Sequence, residues 1–310
     1  MKTDMIEGRH LLDIERLGQS DLDHLLERTL ALAAGAEPAV LAQTVVNLFF
    51  EPSTRTRVSF ELAARRLGMT VVNIELDRSS SSKGESLEDT AATLSAMGVG
   101  AIIVRHPETG RCHQLAAALP RGLHLLNAGD GSGHHPSQAL LDLACLRQDG
   151  MDVRDRVIAI IGDVRHSRVA RSGLSLFGRC GAAALRIAGP DSLMPEMVPA
   201  GVVRCASLDE AVDDADVIMM LRVQHERMDQ GTWPDPASYH ACWGLQTAHL
   251  ALARPGCRVL HPGPINRGME ISSAVADGAQ SLILNQVRMG VFARMAIFEW
   301  LFGLDGSLSA

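Results

Sequence analysis

Short continuous apolar runs and longer runs with a three-to-four residue period alternate along this chain. Short runs suit strands buried on both faces, and long periodic ones suit helices with a single apolar stripe. The region 6–34 carries a helix. Gln19, Ser20 and Asp21 can start it, and Leu22, Leu25, Leu26, Leu30 and Leu32 follow at helical spacing. A strand is expected over 45–50. Pro52 stops it, and Val58, Leu62, Ala63 and Leu67 then mark the inward side of a helix. Further strands are expected at 69–76, 100–104 and 123–126. A helix begins at Ser86 with Leu87, Ala91, Leu94 and Met97 inward, and another covers 111–119. Leu140, Leu141, Leu143 and Leu146 belong to a helix that reaches Gly150.

A second set begins after Arg156. Strands are expected at 157–161, 184–188, 202–205 and 217–221, with a short one at 259–260. The last helix covers about 284–302, with Val287, Val291, Met295, Phe298 and Leu301 on one face. Strand–helix alternation of this kind marks a parallel sheet with helices on both sides. The fold class is therefore α/β, in two domains, each a parallel sheet flanked by helices. One helix joins them, with the boundary near 135–150. No internal repeat or low-complexity tract interrupts the pattern.

Composition narrows the function. The 310 residues suffice for two ordinary domains, and a net charge of −7 argues against nucleic acid or an anionic membrane as the main partner. Any basic site must be local. Nearly all cations are arginine, Lys2 and Lys83 being the only lysines. Cys112, Cys145, Cys180, Cys205, Cys242 and Cys257 form no C-x-x-C pair and read as free thiols in a reducing compartment. No signal segment and no apolar run of spanning length is present, so the expected location is the cytoplasm.

Polar clusters fall at the expected carboxyl ends of the strands: 53–57, 79–83, Arg105, 129–138, 165–168, 222–224 and 261–264. Open parallel sheets bind ligands there. The stretch 49–57, Phe-Phe-Glu-Pro-Ser-Thr-Arg-Thr-Arg, is the most informative. Ser53 or Thr54 sits where a helix begins, a place that favours anions through free N–H groups and the helix dipole. Arg55 and Arg57 oppose that dipole unless an anion lies nearby, and Arg55 has the fork suited to phosphate. A plain capped helix with a solvated basic turn is the ordinary alternative. Likewise Lys83 can be a surface lysine, His135 a capping residue and Gln138 an exposed helix residue. Arg168 can pair with Asp163, and Arg222 with Glu226. The chain lacks G-x-G-x-x-G, a Walker lysine motif, zinc spacing and a G-x-S-x-G elbow. What remains is catalysis by positioning and electrostatics.

Ser53-Thr54-Arg55-Thr56-Arg57, the serine-rich loop with Lys83-Gly84-Glu85-Ser86, Arg105-His106-Pro107, His135-Pro136-Ser137-Gln138 and His261-Pro262-Gly263-Pro264 occur in this order. The set resembles the carbamoyltransferases across nearly the whole chain. Arg222-Val223-Gln224 and His261-Pro262-Gly263-Pro264 are similar to the aspartate-specific branch. Segments expected of the ornithine-specific branch do not appear, and paired arginines suit a dicarboxylate.

The resemblance implies a carbamoyl-phosphate-binding domain over 1–134, an aspartate-binding domain over 135–285, and a C-terminal helix, about 286–310, packing back on the first. Ser53, Thr54, Arg55 and Thr56 would hold the phosphate of carbamoyl phosphate. Ser79 (or Ser80) and Lys83 would reach it from a neighbouring subunit, making the active unit a homotrimer with shared sites. Arg105, His135 and Thr56 would bond the carbonyl oxygen, Gln138 the carbamoyl nitrogen, and the Pro262 and Gly263 backbone the carbamoyl group. Arg168, Arg222, Gln224 and Lys83 would grip L-aspartate. Arg55, Thr56, Arg105 and His135 carry the catalytic roles. Regulatory or dihydroorotase-like chains are possible partners, and no metal or organic cofactor is expected. Other readings are a carbamoyltransferase for another amino-acid acceptor and a non-catalytic anion-binding subunit of the same fold.

Overall fold

The structure, a computed structural model, describes residues 9–75, 85–224 and 235–304. The expected contacts of Ser79, Ser80 and Lys83, and the pairing of Arg222 with Glu226, lie outside the described residues. Strands β1 (His10–Leu11), β2 (Thr44–Phe49), β3 (Thr70–Glu75), β4 (Ala101–His106) and β5 (His124–Asp130) form one sheet. Their order is β1-β5-β4-β2-β3, and every pairing is parallel. Strands β6 (Val157–Ile161), β7 (Ala184–Ala188), β8 (Val202–Arg204), β9 (Val217–Met220) and β10 (Arg258–Leu260) form the other. Its order is β10-β9-β6-β7-β8, again all parallel.

The helices of the first half are α1 (Gln19–Ala33), α2 (Thr54–Arg66), α3 (Leu87–Ala96), α4 (Arg111–Ala118) and α5 (Pro136–Gln148). Those of the second are α6 (Arg168–Arg179), α7 (Leu208–Val212), α8 (Pro236–Trp243), α9 (Thr247–Leu250), α10 (Ser273–Ala276) and α11 (Ile283–Leu301). The chain divides into two units. One comprises Met1–Ala144 with Arg288–Ala310, and the other Cys145–Val287. The division falls inside α5 and inside α11, whereas the sequence reading drew it after residue 134 and before 286.

Strands β2, β4, β5, β6 and β9 bury most of their residues on both sides, which is why they read as apolar runs. Val46, Leu48, Ile102, Val104 and Leu125 pack with Leu87, Leu94 and Leu115 in the first unit. In the second, Ala159, Ile161, Ile218, Met220 and Val259 pack with Leu208, Val212 and Val275. Each such aliphatic side chain contributes about 1.5–3 kcal/mol through burial. Cys112, Cys145, Cys205 and Cys257 are buried, Cys180 is half-buried and Cys242 is exposed. Burial pushes the Cys257 thiol up to about 12. No described helix is long and apolar enough to cross a membrane.

Several expected faces turn out rotated. On α2 the buried side is Thr56, Phe60, Ala63 and Ala64, while Val58 and Leu62 are each 43% exposed. Val58 and Leu62 are four residues apart and share a face, but it is not the core face. Thr56 stands four residues before Phe60 and is therefore carried inward. Met97 is exposed because α3 ends at Ala96 and Met97 is already its C-cap. Val287 is also exposed, whereas Met295, Phe298 and Leu301 are buried as expected. β1 and the short helices α7 to α10 leave no periodic trace, being too short to show one.

Phe60 meets Phe298 edge-on at 5.9 Å, which joins α2 to α11. Glu299 adds a polar tie. It accepts from Arg28 Nη2 at 2.9 Å and from the Ala39 amide at 2.9 Å, and this bond raises the Arg28 pKa. Phe60→Ala should destabilise the first unit by about 3–5 kcal/mol, the usual range for a buried phenylalanine. A lowered urea midpoint checks this; an unchanged midpoint contradicts the packing role.

Candidate active site

In the first sheet the connection after β2 leads to β3 on one side, and β4 then lies on the other side of β2. In the second sheet β6 leads to β7 and β8 on one side, and β9 lies on the other. These are topological switch points, where successive connections diverge and leave a crevice at the carboxyl ends of the strands. Each unit therefore has one predetermined binding position.

At the first switch point β2 runs into Ser53 and α2. Ser53 is the N-cap residue, and its hydroxyl makes no capping hydrogen bond. The first turn of α2 contains no acid, so within that turn no carboxylate offsets the positive end of the helix where Thr54, Arg55, Thr56 and Arg57 stand. Ser53 is half-buried, Thr54 and Arg55 are exposed, and Thr56 is 8% exposed. Next to this helix start lies the end of β4. Phe49 is in register with Arg105, and the Phe50 amide donates to the Arg105 carbonyl at 2.9 Å.

A bulge aims the Arg105 side chain. Val104 pairs with Asn127 but His106 pairs with Asp130, so β5 carries one residue more than β4 there. Gly129 takes φ 118° at this point, a conformation that favours glycine. Arg105 Nη1 donates to the Ala128 carbonyl at 3.2 Å, and its Nε lies 3.4 Å from Glu51 Oε2. Burial holds the neighbouring His106 below the usual imidazole pKa.

The loop after β5 is pinned by Asp130, which is wholly buried. Its Oδ1 accepts from Asn127 Nδ2 at 3.0 Å and the His134 amide at 2.8 Å, and its Oδ2 from the Gly110 amide at 2.9 Å. His135, 4% exposed, follows directly and precedes the first turn of α5. Gln138 is 9% exposed and donates from Nε2 to Asp142 Oδ1 at 2.8 Å, so it is no surface residue. The fold thus brings Ser53–Thr56, Arg105, His135 and Gln138 to the ends of the adjacent strands β2, β4 and β5.

At the second switch point β6 runs into Asp163, wholly buried. Asp163 accepts from the His166 amide at 3.2 Å and His166 Nδ1 at 2.8 Å through Oδ1. Its Oδ2 accepts from the Gln224 amide at 3.1 Å, which ties the loop after β9 to the loop after β6. Ser167 caps α6 by accepting from the Ala170 amide at 3.1 Å, and Arg168, 4% exposed, begins the helix. Val223 is buried with Leu193, Tyr239 and Met269, leaving Arg222 and Gln224 half-buried on either side of it.

The loop after β10 is held by Glu270, wholly buried. Its Oε1 lies 3.3 Å from His261 Nε2 and accepts from the Asn266 amide at 2.7 Å. The Gly263 amide donates to His261 Nδ1 at 2.8 Å, so this nitrogen is the acceptor and Nε2 carries the proton toward Glu270. Gly263 takes φ 66° and is followed by a cis peptide to Pro264. Arg168, Arg222, Gln224, Pro262 and Gly263 are thus gathered at the ends of β6, β9 and β10.

The sequence model of the aspartate/ornithine carbamoyltransferase carbamoyl-P binding domain matches residues 9–148. That of the family's Asp/Orn binding domain matches 154–301. The chain belongs to the aspartate/ornithine carbamoyltransferase family. It is 49% identical over 304 residues to a Xanthomonas campestris protein named aspartate carbamoyltransferase catalytic subunit, covering 95% of this chain and 96% of that one. A Xylella fastidiosa protein of the same name is 49% identical over 303 residues, with 95% and 94% covered. Aspartate transcarbamoylase from Trypanosoma cruzi, solved in complex with carbamoyl aspartate and phosphate, superposes with a TM-score of 0.80. Its identity is 32%, with 94% of this chain and 95% of that chain covered.

Sequence reasoning missed Asp130, Asp163 as a loop anchor, and Glu270. Buried carboxylates that bind backbone amides have no spacing signature. The signal available was an acid beside a glycine in an apolar context, as in Ile161-Gly162-Asp163. Asp163→Ala should cost about 1–3 kcal/mol by leaving amides without their acceptor. It should also speed hydrogen exchange at the Gln224 amide. Native-like exchange there would show that Asp163 does not hold the loop.

Proposed function

We propose that this chain is an aspartate carbamoyltransferase: carbamoyl phosphate and L-aspartate give N-carbamoyl-L-aspartate and phosphate. The reaction belongs to an early step of de novo pyrimidine biosynthesis, in the cytoplasm. One observation supports it above all. In this acidic chain, both topological switch points carry arginines and hydroxyls where a ligand enters.

Ser53, Thr54, Arg55 and Thr56 bind the phosphate at the start of α2. Arg105, Thr56 and His135 donate to the carbonyl oxygen, and Gln138 meets the carbamoyl nitrogen. Arg168, Arg222 and Gln224 take the carboxylates of aspartate, and the Pro262 and Gly263 backbone contacts the carbamoyl group. The uncharged α-amine of aspartate attacks the carbonyl carbon and forms the new N–C bond. Negative charge grows on the carbonyl oxygen and is met by donors already in place, which costs no reorganisation at the moment of reaction. The carbon–oxygen bond to phosphate then breaks, its electron pair leaving with the phosphate, which takes the amine proton. No step calls on a metal or an organic cofactor.

The trimer is part of the proposal. Ser79 and Lys83 of a neighbouring subunit complete the phosphate site, and Lys83 also reaches aspartate. Regulatory or dihydroorotase-like chains are compatible with it, as the Xanthomonas relatives are named catalytic subunits.

Arg55→Ala should lower kcat by about 10²–10³ in a folded protein, the usual loss for one such donor. Phosphate release with a panel of amine acceptors tests the substrate: L-aspartate should be used in preference to other amino acids. Preference for a different acceptor rejects the assignment, and no release with any acceptor favours a binding subunit. Mixing inactive Lys83→Ala and Arg105→Ala chains should restore activity, because hybrid trimers contain sites with both residues intact. Hybrids that form but stay inactive exclude shared sites.

A further inference from the structure

The transfer step just described leaves one buried cation without a task. Arg294, on α11, is 3% exposed. Its guanidinium carbon lies 4.7 Å from the Phe60 ring centre. Nη1 donates to the Gly290 carbonyl at 2.8 Å and Nη2 to Ser137 Oγ at 3.4 Å. Gly290 makes room for it, since a Cβ at that position would come within 2.7 Å of Nη1. Burial lowers the Arg294 pKa to about 10, and the nearby charge of Asp142 works against that fall. Arg294 is thus still a cation at neutral pH.

Asp142 is wholly buried and stands one helical turn after Gln138 on α5. Its Oδ1 receives Gln138 Nε2 at 2.8 Å. The NH2 end of the glutamine amide is thus the end that meets Asp142, whose oxygen accepts. The carbonyl oxygen of Gln138 is thereby turned away from Asp142 and left to accept from a ligand.

We propose that Asp142 fixes the Gln138 amide as a hydrogen-bond acceptor and so selects acyl phosphates bearing an N–H on the carbonyl carbon. This rests on the assignment of Gln138 to the carbamoyl nitrogen. A carbamoyl group presents such an N–H, whereas an acetyl group presents a methyl. With the amide reversed, two NH2 groups would face each other and the preference would be lost. Asp142 is a positioning residue that acts through Gln138.

The test compares carbamoyl phosphate with acetyl phosphate, each with L-aspartate, and reads the ratio of their kcat/KM values. Asp142→Asn keeps the volume but lets either end of the new amide face Gln138. The ratio should fall about tenfold, the factor expected for one hydrogen bond of this strength. Inhibition by inorganic phosphate should stay native-like, because the start of α2 is untouched. A general loosening of the site would weaken both donors and leave the ratio standing. A native ratio in folded Asp142→Asn overturns the proposal. Since that variant strands the Arg294 charge, Asp142→Asn/Arg294→Met is measured beside it and decides by the same ratio should the single variant not fold. Gln138→Ala separates the two layers. If it leaves the ratio unchanged, the assignment of Gln138 falls and the proposal with it. If it lowers the ratio while the Asp142 variants do not, the assignment stands and the positioning role alone is overturned.

Discussion

Parallel pairing of β2 with β4, and of β6 with β9, is the constraint on which the rest depends. A parallel strand cannot turn back directly, so each connection is a crossover that commits to one side of the sheet. After β2 and β6 the chain goes one way; β4 and β9 are laid down on the other. Adjacent strand ends are then separated by roughly 5 Å while their following loops diverge. The sheet has to leave an opening there. Ser53–Thr56 with Arg105 fill the rim of the first opening, and Arg168 with Arg222 that of the second.

Such rims need loops that hold their shape although several of their cations would repel. A buried carboxylate does this in each case. Asp130 gathers amides from the loop before His135, Asp163 joins the loops after β6 and β9, and Glu270 fixes the loop that contains Pro262 and Gly263. Asp142 extends the pattern from backbone to side chain by holding Gln138.

The position of Thr56 shows how packing and chemistry share one helix. The core face of α2 is Phe60, Ala63 and Ala64, and Phe60 meets both Phe298 and Arg294. That face carries Thr56 inward while Arg55 stays exposed. Adjacent residues in a helix point about 100° apart, so seating one inward necessarily leaves its neighbour elsewhere.

Continuous apolar runs at 45–50, 100–104 and 157–161 were legible because a strand buried on both faces needs no partner to reveal itself. The order of the motifs was legible for a related reason: a helix start rich in hydroxyl and arginine has few purposes. The rotation of α2, the bulge that aims Arg105 and the anchors Asp130, Asp163 and Glu270 were not. Each depends on residues far apart in the chain, such as Asp130 with Gly110 and Asp163 with Gln224. By itself the sequence determined two α/β units and the kinds of side chain at their strand ends, since hydrophobic period and helix-terminus chemistry are local properties. Only the tertiary structure decided which strands are neighbours, and hence where the openings lie, because parallel register and buried carboxylate contacts exist only between segments already brought together.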